Sequence, residues 1–489
     1  MNYRGSWNKG CTLCALIFWG LPAFAQSVPG VLVAQNEAAV QSTAGSQSAA
    51  GLQPQSPYLG GVAAEKATLG VMELSLEDAV SRGLKQNLGA LLSSDVVNAA
   101  RGRRWTALSE LLPHVSAAAS FSAHQIDPKS TIGLEIPGAP GVIGPFGVFD
   151  TRAYLKQSVF DWESIERERA SKEQIKSAEY SYKDARELVV LAVSASYLLT
   201  IADHARVDSA QAQRDTAEAL FQQTSDQKKA GVAAAIDVLR SQVELQSREQ
   251  ELIVANNNLA KQKLVLARAI GLPQGQQFRL TTSVAYQPLA SMTLDEALSR
   301  AFASRPDFLS ATAQVRAAEL EKKAVSAERY PSLSVEADYG DIGVNPAASH
   351  GTVNAAAVLK IPIFQGGKIH GEALEAGAVL EEARQRLENL RGQIDQDVRD
   401  AFLDLKSTAD RVSVAKSSVQ LATQTLQEAR DRFASGVTDN IEVVQAQESL
   451  ASANESYIAS LYSYNLAKIS LAKSMGIAES SFKDYLKGN

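Results

Sequence analysis

Five histidines, two cysteines and a large set of carboxylates are the residues of this 489-residue chain whose types could do chemistry. Metal-assisted hydrolysis would need a spacing such as His-Glu-x-x-His, which sets two imidazoles on one helical face. His114, His124, His204, His350 and His370 pair with no carboxylate or second histidine at ligand spacing. Cys11 and Cys14 both fall in an expected signal peptide, so the mature chain is expected to have no thiol nucleophile, no disulfide and no cysteine metal site. Gly366-Gly367-Lys368 resembles the end of a phosphate loop, but Pro362 stands where the first glycine belongs, and no Gly-x-Ser-x-Gly occurs. The remaining acids sit on helix faces, where solvated charge is the ordinary state. No enzyme activity, cofactor or metal is expected. Two acids stand apart by position. Asp237 and Glu442 each follow a Gly-Val pair at the same spacing and open a helix, where acid offsets the N-terminal dipole. Asp439 with Glu442 fits a capping box.

Those acids lie in a chain built twice. Leu76-Glu-Asp-Ala79-Val-Ser-Arg82 returns as Leu294-Asp-Glu-Ala297-Leu-Ser-Arg300, an offset of 218 that also maps Glu110 onto Glu328 and Pro113 onto Pro331. Phe160 and Phe364 are offset by 204, so the first copy carries 14 extra residues. Gly231 maps onto Gly436 and Gly271 onto Gly476, both at 205. The expected organisation is a signal peptide at 1–25, a disordered leader at 26–70, a first repeat at 74–272, a linker at 273–291, a second repeat at 292–478 and a tail at 479–489. The signal rests on Arg4 and Lys9, the apolar run after them and the small-x-small site Ala23-Phe24-Ala25. Its removal takes the formal charge from −6 to −8, which argues against nucleic acid as a partner.

Each repeat opens with one helical segment, N-capped by Ser75 or Thr293 and ended before Pro113 or Pro331. Strands follow, at about Val115–Ala123, Val148–Val159, Leu333–Tyr339 and Val353–Ile363. In them Val115, Ala117, Ala119 and Phe121 oppose Ser116, Ser120 and His124, and Leu333, Val335, Ala337 and Tyr339 oppose Ser334, Glu336 and Asp338. Roughly 9–11 residues suffice for a tilted strand to cross a bilayer, and this alternation suits a barrel wall with lipid outside and water inside. The first hairpin loop, Ile126–Phe149, holds the insertion. Leu188–Ala202 is too short and too polar for a transmembrane helix.

Strand becomes helix at Leu359–Gly367, with Phe160 as the weaker counterpart of Phe364. Pro362 suits a strand end, and Gly366 and Gly367 allow a bend. Trp162 to about Lys229 contains no proline or glycine, which predicts a helix on the order of 100 Å long. Gly371 to about Ala434 is its counterpart, and return helices are expected at about Ala234–Ile270 and Asn440–Met475. Packing stripes run through Ala185, Leu188, Ala192, Ala195, Leu199 and Ala202, and through Val398, Phe402, Leu405, Ala409 and Val412. Gly231 and Gly436 fit helix-ending positions with positive φ. Four strands are too few to close a membrane barrel, which needs about eight, so two or three chains would share one.

The doubled Leu-x-x-Ala opening, the Ile361-Pro362-Ile363-Phe364-Gln365-Gly366-Gly367 junction and the Gly-x5-Asp/Glu-Val turns resemble the TolC-type outer-membrane efflux proteins, across about residues 74–478. The resemblance implies an α+β membrane protein: a homotrimer sharing a 12-stranded β-barrel, four strands per chain, continued by a long α-helical coiled-coil barrel through the periplasm. It implies a passive exit duct for efflux or type I secretion, opened at its tip by a periplasmic adaptor and an inner-membrane transporter. Gly231, Val232, Asp237, Arg240, Gly436 and Val437 would then form the tip where the adaptor docks, and Glu442 and Gln445 would line the constriction. Phe433 and Thr438 stand where the family has locking polar residues, so closure is expected to rest on packing. The competing reading is a soluble periplasmic coiled-coil adaptor or scaffold, which would not need the four alternating strands.

Overall fold

A computed structural model of the protein describes residues 56–63, 66–68, 70–128, 130, 133, 140–282, 286–289, 292–438 and 440–486. The expected signal peptide, most of the leader and Asp439 lie outside these residues. The described elements run β1 (Met72–Leu74), α1 (Leu76–Gln86), α2 (Leu88–Ser109), β2 (His114–Ile126), β3 (Ile143–Phe160), α3 (Trp162–Lys229) and α4 (Ala235–Ala269). The order then repeats as β4 (Phe278–Leu280), α5 (Leu294–Ser304), α6 (Pro306–Ala327), β5 (Ser332–Gly343), β6 (Ser349–Lys360), α7 (Lys368–Ala434) and α8 (Asn440–Ser474), with α9 (Ala478–Leu486) last.

The opening of each repeat is two helices, not the single one expected. Ser75 and Thr293 do cap α1 and α5, each in a reciprocal box with Asp78 or Glu296. The break comes at Asn87 and, one offset later, at Arg305, whose backbones are extended. Both side chains are buried and do the same job. Asn87 Nδ2 donates to Tyr58 O (2.7 Å) and Ala269 O (3.1 Å), clamping the end of α4. The Arg305 guanidinium donates to Asp307 (2.6 Å), Asp397 (2.8 Å) and Ser474 O (3.5 Å), clamping the end of α8. Pro306 marked the second break, since the residue before proline avoids helical geometry. Nothing comparable follows Asn87.

Four helix ends close in the same way. Gly231 N donates to Lys228 O and Val232 N to Gln227 O, with φ +77° at Gly231. The same pair of bonds recurs at Gly271, Gly436 and Gly476. Their surroundings differ. A Cβ on Gly436 would meet nothing within 4 Å, whereas one on Gly476 would lie 2.6 Å from Arg305 Cα. Gly436→Ala is therefore expected to cost about 1–2 kcal/mol, the left-handed penalty alone. Gly476→Ala should cost about 3 kcal/mol or more, because the Arg305 backbone must also move. Thermal unfolding of the two variants in detergent checks the difference.

The core lies at the middle of the long helices. Val189, Val190, Val193 and Tyr197 of α3 are fully buried there with Leu266, Ile394, Val398, Ile469 and Leu471. The stripe expected on α3 is displaced, since Leu188, Ala192, Ala195 and Leu199 are only half-buried. On α7, Val398 and Val412 are buried as expected. One 18-residue window of α3 is apolar enough to cross a membrane by length and composition, contrary to the expectation. Its burial within this core accounts for the composition. β1 and β4 pair in parallel and give Leu74 and Phe278 to the core; β4 lies inside the expected linker and β1 at the very start of the first repeat. Tyr197 Oη donates to Leu74 O and Tyr464 Oη to Gln287 O, both at 3.0 Å, so each repeat's long hairpin anchors a connecting segment. Residues 56–63 are likewise packed, with Val62 N donating to Gln86 O (2.9 Å), which corrects the disordered reading for that part.

The expected tail is α9. Ala478, Phe482 and Tyr485 enter the core, and Glu187 of α3 caps its start, accepting from Ala478 N (2.5 Å) and Glu479 N (3.2 Å). Arg186 forks onto Glu479. Burial pushes the Glu187 carboxyl up to about 7, against the pull of those two backbone N–H groups.

The sheet order is β2-β3-β5-β6, all antiparallel. β2 and β6 are its edges and pair with nothing further among the described residues. All four strands are longer than the 9–11 residues a crossing requires, β3 reaching 18. β6 stops at Lys360, so Ile361–Gln365 is irregular and Pro362 lies beyond the strand rather than at its end. The two strand-to-helix joints differ. Asp161 alone separates β3 from α3 and caps it, accepting from Glu163 N (3.1 Å) and Ser164 Oγ (2.7 Å). Seven residues separate β6 from α7, ending in Gly366 and Gly367 at φ +61° and +88°.

Candidate functional site

Cross-strand register sorts the sheet into two faces. Val115, Leu155, Ala337 and Ala355 are direct partners across four strands, as are Ala117, Ala153, Tyr339 and Val353. One residue along, Ser116, Tyr154, Asp338 and Asn354 align, then Ala118, Arg152, Gly340 and Thr352. Because successive side chains alternate, one face is mainly apolar, with Thr151, Gln157 and Asp341 its exceptions, and the other carries most of the charge. The apolar face is bare: Val115, Phe121, Tyr339 and Val353 are each about two-thirds exposed or more. On the polar face Arg152 ties three strands together. It donates from Nε to Asp150 (3.1 Å), from Nη1 to Asp338 and from Nη2 to Thr352 Oγ1 (3.2 Å). It crosses Gly340 to do so, the sheet's single buried residue among those described. Lys156 and Glu336 form a second pair at 3.4 Å. The sequence showed the alternation but not this network, which depends on register across strands far apart in the chain.

The junction residues gather where sheet meets helix. Phe160 packs edge-on against Trp162 with ring centres 5.5 Å apart. Ile363 and Phe364 are 96% and 87% exposed, so none of the described residues covers them.

At the far end of the helices the two turns carry the residues singled out from sequence. Gly231, Val232, Gly436 and Val437 are exposed on the turns, and Asp237 sits in the first turn of α4, 3.5 Å from Arg240. Ile236, Leu239 and Val243 extend from Val232 as an exposed apolar stripe. Glu442 is half-buried and Gln445 exposed, one turn apart on α8. The two turns are joined by Asn440, fully buried, whose Nδ2 donates to Asp237 O (3.0 Å). Glu442 meets Arg432 of α7 at 3.6 Å. Leu220, Leu426, Ala429, Val443 and Ala446 do form a small core beside Phe433, but two polar bonds reinforce it. Neither bond was legible, since each depends on how the chain folds back across a turn.

Among the described residues no group of side chains is placed to hold a metal ion. His204 does meet a carboxylate, Asp208 Oδ2 at 3.0 Å one helical turn on, which corrects the expectation that no histidine is so paired. Both groups are exposed, and no third ligand joins them among the described residues. His124 meets Ser122 Oγ at 2.8 Å and lies beside the Phe146 ring.

The sequence model for outer membrane efflux proteins matches the chain twice, over residues 96–272 and 297–477. The chain belongs to the outer membrane efflux protein family. The chain is similar to the alkaline protease secretion protein AprF of Pseudomonas aeruginosa, 21% identical over 350 residues, which are 68% of this chain and 71% of AprF. It is also similar to the toluene efflux pump outer membrane protein TtgC of Pseudomonas putida, 23% identical over 419 residues, 82% of this chain and 83% of TtgC. Among solved structures, the Campylobacter jejuni CmeC outer membrane channel superposes with a TM-score of 0.70 at 18% identity, covering 91% of this chain and 98% of CmeC. As an outer membrane efflux protein the chain is an exit duct of the cell outer membrane, and its relatives are transport proteins.

Proposed function

We propose that three copies of the chain close one twelve-stranded barrel in the outer membrane and continue it as a helical tube through the periplasm. The observation that carries this is the sheet: four strands, two bare edges, one apolar face and one charged face. Such a sheet buries its edges only by meeting copies of itself, and its apolar face suits lipid. The repeats, 74–272 and 292–478, each supply one strand hairpin and one helical hairpin. Substrate passes without chemical change, and no cofactor takes part. An inner-membrane transporter delivers it, and a periplasmic adaptor docks on the tip through Gly231, Val232, Asp237, Arg240, Gly436 and Val437. Glu442 and Gln445 line the constriction, where three like charges around a narrow opening favour cations. Phe160, Pro362, Phe364, Gly366 and Gly367 form the junction at the inner edge of the bilayer, with Phe364 and Ile363 facing lipid.

The mass of the purified protein in detergent, by light scattering with the detergent subtracted, tests the assembly. Three chains per particle, extractable from the outer-membrane fraction, is the expected result. A detergent-independent monomer in the soluble periplasm would overturn it and favour a coiled-coil scaffold. The gate is tested separately. The Arg432–Glu442 pair is about half-exposed and contributes about 0.2–1 kcal/mol per chain. Arg432→Ser is therefore expected to raise the open probability in planar bilayers by up to about fivefold for each chain that must release it. An unchanged or lower open probability would remove Glu442 from the gate.

A further inference from the structure

A cleft of about 310 Å³ opens where α3, α4, α7 and α8 come together, between the two helical hairpins. Leu426, Leu450, Tyr457 and Ile458 give it apolar walls. Gln447 lines it and is only 6% exposed, yet neither Nε2 nor Oε1 of its amide has a hydrogen-bond partner among the described residues. Buried polar atoms are costly to leave unpaired, so this amide is a site waiting for a donor and an acceptor together. Arg248 also lines the cleft and is equally buried, but Glu244 at 2.7 Å and Glu251 at 2.8 Å already meet its charge. A charged guest gains little there. Ser209, Gln213, Thr216 and Asn454 complete a neutral polar side of the cleft, and the complement of one unpaired amide is another amide, which returns both hydrogen bonds at once.

We propose that this cleft binds a neutral amphipathic molecule bearing an amide or lactam, paired with Gln447 and held between the hairpins. Gln447 is seven residues into α8 from Asn440, about 10 Å above the tip. A bound molecule therefore bridges the two hairpins just above the constriction and holds them in the closed arrangement. That consequence rests on the duct reading; the binding itself does not.

The absence of cysteine after Cys14 allows a direct test. Leu450→Cys places one thiol on the cleft wall, and Ser417→Cys places one on exposed α7 surface. Each purified variant is equilibrated with mercaptobenzamide disulfide against increasing β-mercaptoethanol, and the adduct is read by intact mass. The benzamide adduct at Leu450→Cys is expected to survive about tenfold more reductant than at Ser417→Cys. Mercaptobenzoate should show no such excess, and adding Gln447→Leu should abolish it. Equal survival at both sites, no preference for amide over acid, or indifference to Gln447→Leu would each overturn the proposal. Should Leu450→Cys fail to assemble, Ser209→Cys on the same cleft carries the comparison. The readout is a mass, so failure here leaves the duct reading standing, and failure of the light-scattering test leaves the adduct ratio interpretable.

Discussion

Gly340→Val is expected to stop the sheet from forming and to remove the assembled protein from the outer membrane. A Cβ at this position would lie 2.2 Å from Thr151 O and 2.6 Å from Arg152 Cα, both backbone atoms of the neighbouring strand. They cannot yield without opening the β3–β5 ladder at its centre. The same spot is where the Arg152 side chain crosses to Thr352, so a valine also evicts the clamp and leaves Asp150 and Asp338 without their cation. Overpacking of this kind costs about 1–3 kcal/mol, and losing the half-buried cation that ties three strands weakens the sheet further. At least about a tenfold drop in heat-modifiable oligomer on unheated gels is the expected outcome. Gly351→Val is the matched control. Its nearest neighbours, Asp341 Oδ1 and Tyr339 Oη, are 3.6 Å away, an ordinary contact, and its yield should stay close to wild type. Normal assembly of Gly340→Val would mean that β3 and β5 are not paired in the mature protein.

The second large effect depends on pH. Burial raises the Glu187 carboxyl to about 7, while in an unfolded chain it titrates near 4.3. The folded state thus favours the neutral form. The stabilisation is complete below the unfolded value and is lost as pH rises through about 7. At 1.36 kcal/mol per unit the loss is on the order of 3 kcal/mol. Glu187→Gln has no proton to lose, so its stability relative to wild type should rise by that order between about pH 4.5 and pH 8. Thermal unfolding across that range measures the difference. A difference that does not vary with pH would mean that Glu187 stays ionised, a full acid cap on α9.

The long elements were legible because their signals are local. A stretch without proline or glycine, expected to be helical from Trp162 to about Lys229, is α3 at Trp162–Lys229, and the glycines at 231 and 436 do adopt positive φ. Alternation placed every residue it named on the correct face of the sheet. What escaped was settled at a distance. Asn87 breaks a helix because its amide is needed 182 residues on, at Ala269 O. α9 forms because Glu187, 291 residues earlier, caps it. The unpaired amide of Gln447 looks like any helical glutamine until four helices close around it.

The unpaired edges of the sheet also set the order of events in the life of the chain. In the three-chain barrel proposed above, a single copy has no finished wall to insert, so folding of this part and association are one step. Its rate must then depend on how often copies meet, falling with more than the first power of their concentration. Copies made slowly would wait with two sticky edges and a bare apolar face, the state most exposed to proteolysis and mispairing. For this protein, abundance is not only a matter of how much duct is made, but of whether any is finished.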